Sequence, residues 1–256
     1  MKYLLDIAYL GCAFHGFQVQ PSARTVQGEL GVAMERTLGV PCKITGCSRT
    51  DAGVHALSFA VTVEADGATV PPSKLPLAAI VHLPPDITVH SAVEVDATFH
   101  PRYDAIGKEY RYRILNRPTP DPFLVGRAWH LPRRVSEQGL SRMQAAARYL
   151  VGRHDFSSFM AAGSDVQSTV RTVTDLTVTR EGDELTVCVR ADGFLYHMVR
   201  IIVGTLTEVA FGRFSPEDVS DILRARDRAA AGMTAPADGL YLARVFYGLG
   251  NEGKKR

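Results

Sequence analysis

The chain has 256 residues, enough for one large domain or two small ones and for a core that needs no disulfide or metal staple. Hydrophobic residues make up 46% and charged residues 22%, a balance that excludes a disordered or low-complexity class. The formal net charge is +2, so charge alone permits a basic groove for nucleic acid but is equally compatible with an ordinary mixed surface.

The sequence contains none of the usual signals for export or membrane insertion. Asp6 interrupts the apolar stretch near the start, which argues against a signal peptide. The longest apolar run, residues 201–211, is broken by Thr205 and Glu208 and does not indicate a membrane span. The cysteines lack the spacing of a zinc site or a disulfide framework, so we expect reduced thiols in a cytoplasmic protein, at Cys12, Cys42, Cys47 and Cys188.

The first hundred residues are predicted to alternate strands and helices. Thr25 can cap a helix over 26–38 that Gly39 ends, and the apolar positions of this helix fall on one face. Strands are expected at 3–9, 43–48, 56–64 and 87–95, and a second helix at 72–81. The resulting order, β-α-β-β-α-β, is that of a ferredoxin-like unit.

The second half approximately repeats this order. Strands are expected at 108–115, 172–180, 184–192 and 240–247, and helices at 136–151, at 194–210 and after Ser215. The charged tail 251–256 is expected to be disordered. We therefore predict an α+β fold with two ferredoxin-like halves and mainly antiparallel sheets, divided into 1–105 and 106–256.

A short run between two predicted strands contains the first candidate site residue. Arg49-Thr50-Asp51-Ala52-Gly53 would form an exposed loop at the end of a sheet, where a carboxylate can face a cleft. A purely structural turn explains the same residue types, because Asp-x-Gly turns are common. These five residues alone favour the structural interpretation.

Four longer segments resemble one known family. The run GCSRTDAGVHA at 46–56 resembles the active-site motif of the tRNA pseudouridine synthase A family. The other segments resemble that family in the expected order: YLGCAFHGFQVQ (9–20) followed by TVQG (25–28), KEYRY (108–112), and FLYHMVR (194–200) followed by GLYL (239–242). Together they extend over nearly the whole chain, which is identified as a member of this family.

The resemblance implies a fold, a reaction and partners. The fold would be that of pseudouridine synthases, with the active site in a cleft between the two halves. The reaction would convert uridine to pseudouridine in the anticodon stem-loop of tRNA, at about positions 38 to 40, where the target base must be extracted from its stack. The resemblance further implies a homodimer, no metal and no small-molecule cofactor, and we expect no membrane partner.

The resemblance also assigns roles to individual residues. Asp51 is expected to be the nucleophile, Arg200 the cation that pairs with it, and Tyr110 the ring that packs against the target uracil. Arg49 is expected to stabilise the flipped-out state or to take the vacated space in the stem, and Leu240 to form the floor of the site. Taken alone, each residue also has an ordinary interpretation, such as a core aromatic for Tyr110 or a surface-reaching arginine for Arg200.

The residue types suit a reaction that needs a nucleophile and no redox centre. The bond between uracil N1 and ribose C1′ breaks, and the base is rejoined through C5. Asp51 can attack C1′, add to uracil C6, or first abstract a 2′ proton to give a glycal, and the sequence does not choose among these versions.

Two rival functions also remain open at this level. A non-catalytic RNA-binding protein would not need Asp51 paired with Arg200, and a hydrolase would need a second carboxylate at a suitable distance. Candidate phosphate contacts are basic residues spread along the chain, namely Arg24, Lys43, Arg102, Lys108, Arg111, Arg113, Arg153 and Arg171.

Overall fold

The first hundred residues fold in the predicted β-α-β-β-α-β order. In the computed structural model, which describes residues 1–163 and 166–248, this part contains β1 (Lys2–Tyr9), α1 (Val26–Leu38), β2 (Lys43–Gly46), β3 (His55–Glu64), α2 (Leu75–Ala79) and β4 (Ile87–Glu94). The prediction for α1 is confirmed at both ends. Thr25 Oγ1 accepts a hydrogen bond from Gly28 N at 3.3 Å, and Gly39 ends the helix with a φ of 72°.

The second predicted helix, over 72–81, is shorter in the structure. Pro72–Lys74 forms a 3-10 turn, and α2 begins only at Leu75. Pro76 explains the difference, because it has no N–H with which to donate to the carbonyl of residue 72 in a regular α-helix.

The remaining elements confirm a mixed α+β fold. They are β5 (Ala105–Leu115), β6 (Trp129–His130), α3 (Glu137–Arg148), β7 (Gly152–Asp155), β8 (Val170–Glu181), β9 (Glu184–Ala191), α4 (Met198–Ala210), α5 (Asp218–Ala225) and β10 (Leu240–Tyr247). The prediction of a helix over 194–210 is wrong at its start. His197 has a φ of 59°, a left-handed conformation that cannot continue into the helix, so α4 begins at Met198.

The chain divides into two units. Unit 1 contains Met1–Ile106 and the residues from Tyr241 onward, and unit 2 contains Gly107–Leu240. The predicted division into 1–105 and 106–256 did not include this return of the last strand. The tail 251–256, expected to be disordered, lies outside the described residues. Among the helices that the structure describes, none has both the length and the apolar character needed to cross a bilayer.

The sheet of unit 1 is antiparallel except at one edge. Its strand order is β4-β1-β3-β10, with β2 also paired to β3. β1 is the central strand and runs antiparallel to both β3 and β4. β10 runs parallel to β3, with Tyr241 opposite His55. One face of this sheet forms the core with α1, through buried side chains that include Tyr3, Leu5, Ile7, Leu30, Met34, Phe59, Val61 and Val63.

The sheet of unit 2 has the order β5-β9-β8-β7, with antiparallel neighbours, and β6 adds to β5 in parallel. Helices α3 and α4 pack against each other, and α3 also contacts β8. Helix α4 is buried on almost every side, because most of its residues are apolar and Thr205 and Thr207 bond back to carbonyls of the helix itself. The predicted α+β class with mainly antiparallel sheets is therefore confirmed.

Candidate active site

Asp51 lies in the loop between β2 and β3. The carbonyl of Asp51 accepts a hydrogen bond from Val54 N at 3.2 Å, which closes a tight turn. Asp51 is half-buried, whereas Thr50 before it is buried and Arg49 is exposed. The loop thus presents a carboxylate that is neither sequestered in the core nor fully in solvent.

The Asp51 loop, residues 47–54, is fixed by a distant segment of the chain, residues 11–17. Phe17 N donates to the Thr50 carbonyl at 3.1 Å, and Gly53 N donates to the Phe14 carbonyl at 3.3 Å. These bonds satisfy backbone groups that regular secondary structure does not pair in this loop. The backbone is therefore held in position on both sides of Asp51, at Thr50 and at Gly53.

Two glycines allow this close approach. A Cβ atom on Gly11 would lie 2.0 Å from the Val54 carbonyl oxygen, and one on Gly16 would lie 2.6 Å from the Thr50 carbonyl oxygen. Gly16 also has a φ of 90°, which residues other than glycine rarely adopt. Both positions therefore require glycine, because backbone packs directly against backbone.

Two buried side chains complete the surroundings of the loop. The Tyr9 and Thr50 hydroxyls are hydrogen-bonded at 2.8 Å. His55 is fully buried, accepts a hydrogen bond from Gly11 N at Nδ1 (2.9 Å), and stacks on the Tyr241 ring at 4.5 Å between centroids. His55 thus fixes the start of β3 against the neighbouring strand and loop.

The two tyrosines of the KEYRY segment lie on β5 in unit 2. Tyr110 is 7% exposed and its ring packs edge-on against Phe194, with centroids 4.9 Å apart. Tyr112 is fully buried, and its hydroxyl donates to the Pro236 carbonyl at 2.7 Å. Burial raises the pKa of Tyr112, and the nearby Arg200 guanidinium partly offsets that effect. Tyr112 is therefore a core residue, as its position on the strand indicates.

Arg200 lies in the first turn of α4 and is oriented by a neighbouring segment. Its Nε donates to the Ala235 carbonyl at 2.7 Å, and Ala235 N donates back to the Arg200 carbonyl at 3.0 Å. The first bond orients the guanidinium, and the second fixes Ala235 against the backbone of α4. Leu240, five residues after Ala235, is buried and begins β10.

The structure groups the predicted site residues by unit. Arg49 and Asp51 share one loop in unit 1, while Tyr110, Arg200 and Leu240 belong to unit 2. The meeting of the two groups in one cleft stays a prediction.

Several residues that shape the Asp51 loop were not singled out in the sequence. Tyr9, Gly11 and Gly16 lie in the YLGCAFHGFQVQ segment, and Thr50 is the immediate neighbour of Asp51. The resemblance of that segment was the available signal, but it did not reveal which residues contact the loop.

Among the described residues, four of the candidate phosphate contacts form ion pairs with carboxylates of their own unit. Arg24 makes a bidentate pair with Asp86 at 2.7 and 3.0 Å, and its guanidinium lies over the Phe14 ring. The other three are Arg111 with Glu109, Arg113 with Glu184, and Lys43 with Glu64. Arg102 and Arg153 are exposed and are the better placed of the eight for contact with RNA.

Comparisons with known proteins agree with the family identified from the sequence. A family profile described as "tRNA pseudouridine synthase" matches residues 7–104 and 146–248, which is well over half of the chain. A protein of Thermoanaerobacter sp. (strain X514) is 43% identical over 244 residues, covering 95% of this chain and 98% of that protein. A Halalkalibacterium halodurans protein is 46% identical over 241 residues, covering 94% of this chain and 90% of that protein.

Other matches follow the same pattern. A Bacillus subtilis (strain 168) protein is 42% identical over 253 residues, covering 96% of this chain and 99% of that protein. All three of these relatives are named "tRNA pseudouridine synthase A". A solved structure described as "Crystal Structure of a Cbf5-Nop10-Gar1 Complex" aligns with a TM-score of 0.39 at 14% identity, covering 94% of this chain and 48% of that one.

Proposed function

We propose that this chain, which belongs to the tRNA pseudouridine synthase family, isomerises uridine to pseudouridine in the anticodon stem-loop of tRNA with Asp51 as its nucleophile. Membership of the family accounts for the reaction and for tRNA as the substrate. The assignment of Asp51 depends chiefly on one observation. The Asp51 loop is fixed on both sides by bonds from residues 11–17, as a loop that must present one carboxylate would be.

The isomerisation needs no outside reagent. The bond between N1 and C1′ breaks, a bond between C5 and C1′ forms, C5 loses its proton and N1 gains one. In the routes through C1′ and C6, Asp51 forms a covalent bond to one fragment while the base reorients, and it is released when the new bond is complete. In the glycal route, Asp51 instead takes the 2′ proton as a base, and the proton returns to C2′ when the bond between C5 and C1′ forms. Attack at C1′, addition at C6 and a glycal route all satisfy this balance.

The other proposed residues act around the carboxylate. The Arg200 guanidinium, oriented by Ala235, would favour the ionised form of Asp51 in a closed site. The Tyr110 ring would pack against the extracted uracil, which has an aromatic face of its own. Leu240 would form an apolar floor, and its neighbour Tyr241 stacks on His55, four residues after Asp51.

The proposed site of action is a structured RNA. Arg49 is exposed in the Asp51 loop and would occupy the space that the extracted base leaves. We further propose that the protein acts as a homodimer in the cytoplasm, where its four free thiols would stay reduced.

Tritium release tests the proposal. Unmodified tRNA carrying tritium at uracil C5 is incubated with the wild-type protein, with Asp51→Asn, and with Asp66→Asn as a matched control. Asp66 is an exposed aspartate in another turn of unit 1. We expect release from the wild type and Asp66→Asn, and a loss of at least about a thousandfold in Asp51→Asn, because a nucleophile cannot be replaced by a neutral amide.

The substrate position is tested with the same assay. Replacing the uridines of the anticodon stem-loop by cytidine should abolish release, while replacing uridines elsewhere should not. Release that survives Asp51→Asn would refute the nucleophile, and binding without release across several tRNAs would favour the RNA-binding alternative.

A further inference from the structure

Tyr9 is placed rigidly by the sheet of unit 1. It is the last residue of β1, the central strand, where it pairs with Ala56 of β3 and Ile87 of β4. Its side chain is 4% exposed, and its ring packs against Phe59 with centroids 5.6 Å apart. The position of its hydroxyl is therefore set by the sheet and the core.

The Tyr9 hydroxyl contacts the residue that precedes the proposed nucleophile. It lies 2.8 Å from Thr50 Oγ1, and both groups are buried. The Thr50 carbonyl accepts a separate hydrogen bond from Phe17 N. Thr50 is thus fixed by its side chain and by its backbone, and the peptide that joins it to Asp51 has little freedom to rotate.

We infer that Tyr9 is a positioning residue that keeps the Asp51 carboxylate in its reactive place through the Thr50 hydroxyl. This inference rests on the proposed function, in which Asp51 is the nucleophile. A nucleophile displaced by a fraction of an ångström loses much of its rate, because the reacting atoms must be close and aligned. Tyr9 lies beneath the loop in the core, so its effect falls on the chemical step and not on tRNA binding.

Tyr9→Phe removes only the hydroxyl and provides the test. Tyr3→Phe is the matched control, since Tyr3 lies at the other end of the same strand and its hydroxyl donates to the Val70 carbonyl at 2.9 Å. We expect single-turnover tritium release at saturating enzyme to fall about tenfold in Tyr9→Phe, equivalent to one buried hydrogen bond. The rate of Tyr3→Phe and the tRNA dissociation constants of both variants should stay near wild type.

The partner residue gives an independent measurement. Thr50→Val should slow the reaction as much as Tyr9→Phe, and the double variant should be no slower than either single variant, because the same bond is lost. Thr50→Ser retains the hydroxyl and should retain the rate. The Thr50→Val and Thr50→Ser pair decides the question even where Tyr9→Phe does not fold.

The outcomes separate the two claims. An inactive Asp51→Asn protein beside a fully active Tyr9→Phe protein would overturn the positioning role and leave the nucleophile intact. Equal slowing by Tyr9→Phe and Tyr3→Phe, or additive effects of the Tyr9 and Thr50 changes, would also overturn it. An active Asp51→Asn protein would instead refute the proposed function.

Discussion

The Asp51 loop and the start of α4 each present one charged group, but by different physical means. The loop is fixed through its backbone, by glycine contacts and amide bonds from residues 11–17. Arg200 is fixed through its side chain, by the bond from Nε to the Ala235 carbonyl. An aspartate carboxylate is one carbon away from its backbone, so fixing the backbone fixes the group. An arginine has a long flexible stem, so its far end needs a contact of its own.

Gly11→Ala tests whether backbone packing fixes the Asp51 loop, and we expect the largest effect from this change. The added Cβ would meet the Val54 carbonyl, and we expect a loss of about 3 kcal/mol in the free energy of unfolding. Denaturant unfolding measures it, with Gly31→Ala as the control. Gly31 lies inside α1, and a Cβ atom added there would lie 3.8 Å from its nearest neighbour, Ile44 Cγ1. Alanine at this position should therefore raise the free energy of unfolding by up to about 1 kcal/mol. Equal stability of the two variants would contradict the close packing.

Arg200→Lys tests the side-chain part of the comparison. Lysine keeps the positive charge but cannot reproduce the Nε bond to Ala235 together with a planar guanidinium. We expect kcat to fall about a hundredfold with little change in stability. Arg148→Lys, on the exposed face of α3, should keep the full rate. A fully active Arg200→Lys protein would mean that charge alone matters and orientation does not.

The smallest expected effect concerns pH. Arg113, on the strand that carries Tyr110, donates two hydrogen bonds of 2.8 Å to Glu184 of β9, and these bonds hold the pKa of Glu184 below its ordinary value. A carboxylate with a lowered folded pKa contributes stability above its unfolded value and loses it as the pH falls through the folded value.

We therefore expect the wild type to lose more stability than Glu184→Gln between about pH 5 and pH 3, by at most about 1 kcal/mol, since the pair is one-third exposed. Urea unfolding at several pH values measures this difference. In an Arg113→Met background the Glu184→Gln change should lose most of its pH dependence, and a persistent difference would point to another cause.

Elements with local signals could be predicted from the sequence. Thr25 and Gly39 mark the ends of α1, and strict alternation marks the strand over 108–115. The start of α4 could not be predicted, because the apolar pattern continues through His197 while its backbone turns left-handed. The return of β10 to unit 1 could not be predicted either, since parallel pairing with β3 depends on contacts distant in the chain.

The residues of the candidate site likewise differ in how far the sequence predicts them. Asp51 and Arg200 stand in motifs that can be recognised from the order of residues alone. The contact between Tyr9 and Thr50 joins residues 41 positions apart, so no local pattern predicts it. The glycine contacts likewise become visible only when both segments are in place.

The parallel pairing of β10 with β3 also affects when the protein can complete its folding during synthesis on the ribosome. Domains generally form as the N-terminal part of a chain is released, but the Tyr241 ring that stacks on His55 is translated long after β3. A nascent chain halted anywhere within unit 2 would contain every residue of the Asp51 loop and still lack the strand that pairs with β3 directly after it. The strand that follows the proposed nucleophile is therefore translated early and gains its last neighbour only when the end of the chain arrives.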